Sequence, residues 1–156
     1  MNGSESVGYK TRVDLAKYTL WYLAGVIVVF VIAVALAVVG GIEFPSGASA
    51  IIPPMLAAML EGGRIARNTR TRMQSRAAWV EATRMTGMVL VINLIFAGIA
   101  FAVPSVRGIL MSVPAGVLFI LALILFAAIL VVNRTFLAIG IKNELKAIEK
   151  RENKAK

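Results

Sequence analysis

Apolar residues are grouped along the chain into three long runs and one shorter run. The long runs cover residues 18–42, 85–103 and 113–132. As helices that rise about 1.5 Å per residue, runs of this length cross the roughly 30 Å hydrocarbon core of a bilayer. The shorter run, residues 48–60, contains Pro53 and Pro54 and extends only about 20 Å as a helix. Apolar pattern alone therefore predicts three membrane-spanning helices and leaves a fourth undecided.

The positions of the basic residues decide how the shorter run is interpreted. If a span over residues 46–67 crosses the membrane, 16 of the 17 lysines and arginines fall on one side and only Arg107 falls on the other. The positive-inside rule requires such an imbalance and assigns the basic side to the cytoplasm. We therefore predict an all-α membrane protein whose N- and C-termini are both cytoplasmic. Its four transmembrane helices are expected over residues 18–42, 46–67, 85–103 and 113–132.

The last part of the chain keeps a helical pattern after the fourth run. Apolar residues recur at helical spacing from Leu137 to Ile148, with lysines and glutamates between them. We expect the cytoplasmic tail, residues 133–156, to form an amphipathic helical extension. It leaves the membrane as a helix, lies along the membrane surface or docks on a partner. The whole chain, residues 1–156, is then a single four-helix transmembrane domain with an arginine-rich cytoplasmic loop at residues 64–84.

The amino-acid composition is typical of a membrane protein and excludes most kinds of catalytic site. Apolar residues make up 59% of the chain, charged residues 16%, and the mean hydropathy is +0.82, whereas soluble domains are about 45–50% apolar. The chain contains no cysteine and no histidine. This excludes disulfides, thiolate nucleophiles, imidazole bases and the common zinc and haem ligands. We expect no enzymatic activity, no catalytic residues, no cofactor and no metal site.

Arginine is the only basic residue type in the predicted loop. Its planar guanidinium binds phosphates through two parallel hydrogen bonds, so the loop is a candidate contact for anionic lipids. Ordinary topology-setting charge is the equally weighted alternative. Orientation in the membrane explains the net charge of +9, and we expect no nucleic-acid partner. The candidate anionic-lipid contacts are Arg64, Arg67, Arg70, Arg72, Arg76 and Arg84.

The few polar side chains in the predicted spans are candidates for helix packing or for a polar path. Asn93 is expected to bond a neighbouring helix or a nearby carbonyl. Glu61 is the one carboxylate expected to be partly buried, and Arg64 one turn later favours an ion pair over an ion-coupling role. Ser46 and Ser49 precede the two prolines, where a structural kink is favoured over a small binding crevice.

A row of mostly small residues in the first run predicts a helix-packing face. Gly25, Val29, Ala33, Ala37 and Gly41 follow one another at four-residue spacing. Small residues allow the backbones of membrane helices to approach closely. We expect this row to pack the helices on one another.

The stretch from Phe44 to Arg64, followed by a basic segment and a helix that begins near Ala77-Ala78-Trp79-Val80-Glu81-Ala82, resembles the ABZJ-type family of small bacterial inner-membrane proteins. The resemblance implies four spans in the bacterial inner (cytoplasmic) membrane and brings no catalytic residues. Family members often have Pro-Thr before the third helix, whereas this chain has Asn68-Thr69.

Together these features favour a non-catalytic integral membrane protein that serves as an accessory or structural subunit of a larger membrane protein complex. Its expected partners are the lipid bilayer, anionic lipids and other membrane subunits. The scarcity of polar groups in the spans supports this hypothesis, because a transport route needs polar contacts inside the membrane. The alternative is a homo-oligomeric small transporter or channel, whose path would use Asn93, Glu61 and the serines near Pro45.

Overall fold

The computed structural model describes residues 12–41 and 46–154, and this part of the chain is almost entirely helical. Three helices in it are long and apolar enough to cross a membrane: Leu15–Gly40, Ser75–Phe101 and Ala115–Lys154. This confirms an all-helical protein with membrane-spanning helices, while the fourth span and the orientation of the termini stay predictions. The helices are α1 (Leu15–Gly40), α2 (Ser46–Thr69), α3 (Ser75–Phe101), α4 (Pro104–Ser112) and α5 (Ala115–Lys154).

The four long helices run antiparallel in chain order and pack side by side. α2 lies against α1 and α5, and α3 lies against α5 and α1. We call residues 12–29, 53–92 and 129–154 the basic half of the bundle, and residues 30–41, 46–52 and 93–128 the apolar half. Among the described residues, every buried one lies in the basic half.

Local signals explain where α1 begins and ends. The Asp14 carboxylate accepts a hydrogen bond of 3.3 Å from the Lys17 backbone N–H, which is the usual N-cap arrangement. At the other end Gly41 has a φ of 61°, and its N–H donates to the Leu36 carbonyl. This left-handed conformation favours glycine and commonly ends a helix.

The arginine-rich segment is mostly helical, which corrects the predicted loop over residues 64–84. α2 continues to Thr69 and α3 begins at Ser75, so that only residues 70–74 form the connection. Arg70 ends α2 with a φ of 52°. Arginine is a good helix former, and glutamates at helical spacing neutralise several of these charges, so the helices extend past the apolar runs.

The predicted tail is likewise part of a longer helix. α5 continues without a break from the apolar run to Lys154, and its apolar residues Leu137 and Ile141 are buried within the bundle. The short helix α4, which the sequence pattern did not predict, begins with Pro104 in its first turn. Proline fits this position because no helical hydrogen bond is lost there.

The prolines of α2 lie inside the helix and are fully buried. α1 accommodates them at Gly25, where a Cβ atom would lie 3.2 Å from the Pro53 Cα atom. A side chain at this position would therefore push the two helices apart.

The row of small residues predicted to pack the helices does so only near its start. Gly25 and Val29 are buried, Ala33 is half-buried, and Ala37 and Gly41 are exposed. The later part of the row lies in the apolar half, where no described residue is buried.

Candidate functional site

Glu61 is a residue of α2 that lies beside the amino end of α1 and is fully buried. Its carboxylate accepts a hydrogen bond of 2.7 Å from the Asp14 backbone N–H and two from the Arg64 Nε atom at 3.0 and 2.9 Å. The Arg64 Nη2 atom pairs with the same carboxylate and also donates to the Arg12 carbonyl. The ion pair expected between Glu61 and Arg64 therefore also anchors the start of α1 on α2.

Glu81 performs the same task from α3. Although Glu61 is the one carboxylate expected to be partly buried, Glu81 is also buried, at only 5% exposed. Its Oε2 atom accepts a hydrogen bond of 3.2 Å from the Val13 N–H, and its carboxylate pairs with Arg84 at 3.1 Å. N–H groups at a helix start have no helical partner and lie at the positive end of the helix dipole. Two buried carboxylates therefore hold the amino end of α1 between α2 and α3.

One turn further along α1, a chain of buried side-chain hydrogen bonds joins three helices. The Tyr18 hydroxyl donates to Asn133 Oδ1 over 2.9 Å, and Asn133 Nδ2 donates to Thr86 Oγ1 over 3.1 Å. The Thr86 hydroxyl in turn donates to the Ala82 carbonyl over 2.8 Å. We call Tyr18, Asn133 and Thr86 the polar layer. Its groups bond to one another across the bundle between α1, α5 and α3.

Glycines allow the closest backbone contact in the basic half. A Cβ atom at Gly62 would overlap with the Leu137 carbonyl of α5, and one at Gly140 would overlap with the Met59 carbonyl of α2. The two glycines therefore fix a reciprocal crossing of α2 and α5. Their packing role was not predicted from the sequence, although Asn133, Leu137, Gly140 and Ile141 share one helical face.

Asn93 lies a further turn along the bundle, beyond the polar layer. Its Nδ2 atom donates to the Tyr22 hydroxyl over 3.1 Å and to the Val89 carbonyl over 2.9 Å. It therefore has both kinds of bond that were expected, one to another helix and one within its own helix. Beside this pair a mostly apolar cavity of about 420 Å³ opens between α1, the start of α2, α3 and α5.

The residues predicted for a polar path do not meet in one place. Ser49 and Asn93 line the same cavity, whereas Glu61 lies at the amino end of α1, with the polar layer in between. The side chain of Ser46 lies outside the described residues.

The six candidate lipid-contact arginines divide into paired and unpaired side chains. Arg64 and Arg84 bind the buried glutamates described above. Arg67 pairs with Glu144 at 3.3 Å and Arg70 with Glu152 at 2.9 Å, which ties α2 to the end of α5. Arg72 and Arg76 are exposed and form no ion pair with the described carboxylates.

Comparison of the sequence with protein-family models and with curated proteins, and of the structure with solved structures, finds no match. The resemblance to the ABZJ-type family stays a prediction. Within the described residues, no group of three or more acidic side chains is arranged to hold a metal ion. Function is therefore inferred from this chain's own contacts.

Proposed function

We propose that this chain is a non-catalytic integral membrane protein that serves as an accessory or structural subunit of a larger membrane protein complex. We place it, on the basis of its charge distribution and family resemblance, in the bacterial inner membrane with both termini cytoplasmic. The observation that carries the proposal is the use of interior polar groups. In the basic half they bind one another and join the helices, as the polar layer does.

A transport route needs polar groups that a passing solute or ion can contact. Glu61 is instead occupied by Arg64 and by the start of α1, and Asn133 is occupied by Tyr18 and Thr86. The crossing at Gly62 and Gly140 brings α2 and α5 into backbone contact next to these groups. This arrangement suits a rigid packing element better than a pore.

The apolar half supplies the surface that an accessory subunit needs. Large aliphatic side chains on α1, α3 and α5 are exposed there, with Val31 at 58% and Leu94 at 62%. Between membrane helices, association depends on packing and on small or polar contacts, because lipid tails are as apolar as the side chains. We propose that lipid and the helices of partner subunits cover this half.

The second candidate is a homo-oligomeric small transporter or channel. The cavity of about 420 Å³ beside Tyr22, Asn93 and Ser49 favours it, since these groups offer hydroxyl and amide contacts at the edge of an otherwise apolar space. A route through a single chain would still have to pass the polar layer. Transport therefore requires either that the layer opens or that several copies form a path between them.

Mass analysis of the intact particle tests the two candidates. The protein is extracted from its source membrane at native expression level, in a mild detergent or a nanodisc, and weighed without dissociation. The accessory role predicts foreign chains in fixed stoichiometry. A particle made only of copies of this chain contradicts that role, and flux measured with wild type, Asn93→Leu and Glu61→Gln then tests transport directly.

A further inference from the structure

Three basic side chains surround a cavity of about 310 Å³ in the basic half. Arg72 comes from the connection between α2 and α3, while Arg134 and Lys142 lie about two turns apart on α5. Ala78 and Ile141 are among the apolar residues that line the rest of the cavity. A second opening of about 390 Å³ shares Arg134 and Lys142 and extends to Trp79 on α3. We call Arg72, Arg134, Lys142 and Trp79 the basic pocket.

The charges of the basic pocket are not compensated, unlike those of the arginines nearby. Arg64, Arg67, Arg70 and Arg84 each pair with a glutamate, whereas no described carboxylate lies within ion-pair distance of the pocket's three cations. Glu149 and Glu152 border a neighbouring cavity that shares only Arg72 with the pocket. Arg70 already holds Glu152 there, at 2.9 Å. The basic pocket is therefore a local excess of positive charge.

Arg134 is held in place and retains an unused donor. Its guanidinium carbon lies 5.7 Å from the centre of the Trp79 ring, and its Nη2 atom donates to the Ser75 hydroxyl over 3.3 Å. The Arg134 Nε atom is buried and has no hydrogen-bond partner within the described structure. A buried donor without a partner is rare in proteins, and an acceptor supplied by a ligand removes its cost.

The position of the pocket indicates what kind of anion it meets. Arg134 follows the last apolar run by two residues, and Trp79 precedes the third run by six, so both stand where a span is expected to enter the headgroup region. Tryptophan and basic residues are enriched at this level of a membrane, and basic pockets between helices bind anionic headgroups. We propose that the basic pocket binds the phosphate group of an anionic phospholipid.

This proposal is independent of the accessory role and sharpens the sequence-based prediction of lipid contacts. Of the six arginines in the predicted loop it retains Arg72 alone, and it adds Arg134 and Lys142 from α5. Ion pairing explains the selection, because an arginine that already binds a carboxylate has fewer donors left for a phosphate.

The test compares two double variants that lose the same charge. Arg72→Gln with Lys142→Gln empties the pocket of two cations, and Arg76→Gln with Lys146→Gln removes two exposed cations from the same two regions of the chain. All four side chains are exposed, so we expect all the proteins to keep the wild-type melting temperature. The full chain is titrated with phosphatidylglycerol and, separately, with phosphatidylcholine, and bound lipid is counted by native mass spectrometry.

We expect wild type to prefer phosphatidylglycerol and the pocket variant to bind it at least about tenfold more weakly, because that variant loses two basic contacts to the bound phosphate, each of which contributes about a fivefold factor. The control variant should stay within about twofold of wild type. If both variants lose the same affinity for phosphatidylglycerol, or neither loses any, the basic pocket is not the lipid-binding site. Inorganic phosphate in large excess distinguishes a lipid headgroup from free phosphate as the bound anion. If inorganic phosphate binds the pocket as tightly as phosphatidylglycerol does and displaces the lipid only there, the lipid assignment is wrong.

Discussion

The basic and apolar halves of this bundle are built from the same four long helices but pack in opposite ways. On α1 the stripe Tyr18, Tyr22, Gly25 and Val29 is buried, while residues 30–41 of the same helix have no buried member. α5 shows the reverse order, with exposed aliphatic residues first and a buried stripe from Ile129 onward. The more apolar half is the one without buried residues, so hydrophobicity alone does not explain where the helices pack closely.

What differs is the supply of polar groups and the placement of glycines at a helix crossing. The basic half has two carboxylates at the start of α1, the polar layer, and the crossing at Gly62 and Gly140. In a membrane the hydrophobic effect does not draw helices together, and packing relies on hydrogen bonds and on close backbone contact. A few such residues therefore decide where the helices of this bundle pack closely.

The largest effect is expected from a methyl group at the glycine crossing. Gly140→Ala places a Cβ atom on the Met59 carbonyl, and because both partners are backbone, the helices must separate, at a cost of about 3 kcal/mol or more. Thermal unfolding in detergent, followed by circular dichroism, measures the loss.

The matched control for this substitution is Gly98→Ala in the apolar half, where nothing lies within 4 Å of the added atom. It should be neutral or slightly stabilising, because alanine favours the helix. Similar losses in the two variants would mean that the halves do not differ in packing.

Removal of the buried carboxylate ranks second. Glu61→Ala leaves Arg64 and the Asp14 N–H without their acceptor, and a broken buried pair costs about 3–5 kcal/mol. Since the Arg64 side chain is 25% exposed and regains water, we expect about 2 kcal/mol. Chemical denaturation gives the value. Glu149→Ala, on an exposed position of α5, serves as the control, and an equal loss there contradicts the anchoring role of Glu61.

The polar layer should contribute less than the buried carboxylate. Asn133→Leu removes the bonds to Tyr18 and Thr86, and interhelical bonds of this kind are worth about 0.6–2 kcal/mol. Asn143→Leu changes an exposed asparagine nearly three turns later on the same helix and should change the unfolding free energy by less than about 0.5 kcal/mol. If Asn133→Leu changes the unfolding free energy as little as Asn143→Leu does, the polar layer does not hold the basic half together.

The smallest effect is expected at the helix cap. Hydrogen bonding from the Lys17 N–H is the main cause that lowers the pKa of Asp14 below its usual value. The charged cap therefore stabilises the protein at neutral pH, and this contribution is lost as the pH falls through the lowered pKa. Asp14→Ala should cost about 1 kcal/mol at pH 7 and nothing in acid. A cost that is unchanged in acid would contradict a charged cap.

Features that depend on the pattern of residues within one helix could be predicted from the sequence. Long apolar runs predicted α1, most of α3 and the first part of α5, helical spacing of apolar residues predicted the rest of α5, and the spacing of Glu61 and Arg64 predicted their ion pair. Features that depend on which helices face each other were missed. Gly62 and Gly140 are unremarkable in the sequence, and Glu81 reads as a solvated residue until Val13 is placed beside it. The prediction of a loop was wrong because the charges of this segment indicate only that it is solvated, and a solvated segment can still be helical. Here arginines of α2 pair with glutamates of α5.

The basic half contains the contacts that hold the helices together, and we propose that the apolar half meets partner subunits. Photo-crosslinking in the source membrane tests it most directly, with the photoreactive amino acid placed at Val31 in the apolar half or at Val80 in the basic half. The two valines are similarly exposed, at 58% and 54%. The account predicts adducts with foreign membrane proteins from Val31 and lipid adducts alone from Val80. Foreign protein captured only from Val80, or adducts from Val31 only with copies of this chain, would contradict it.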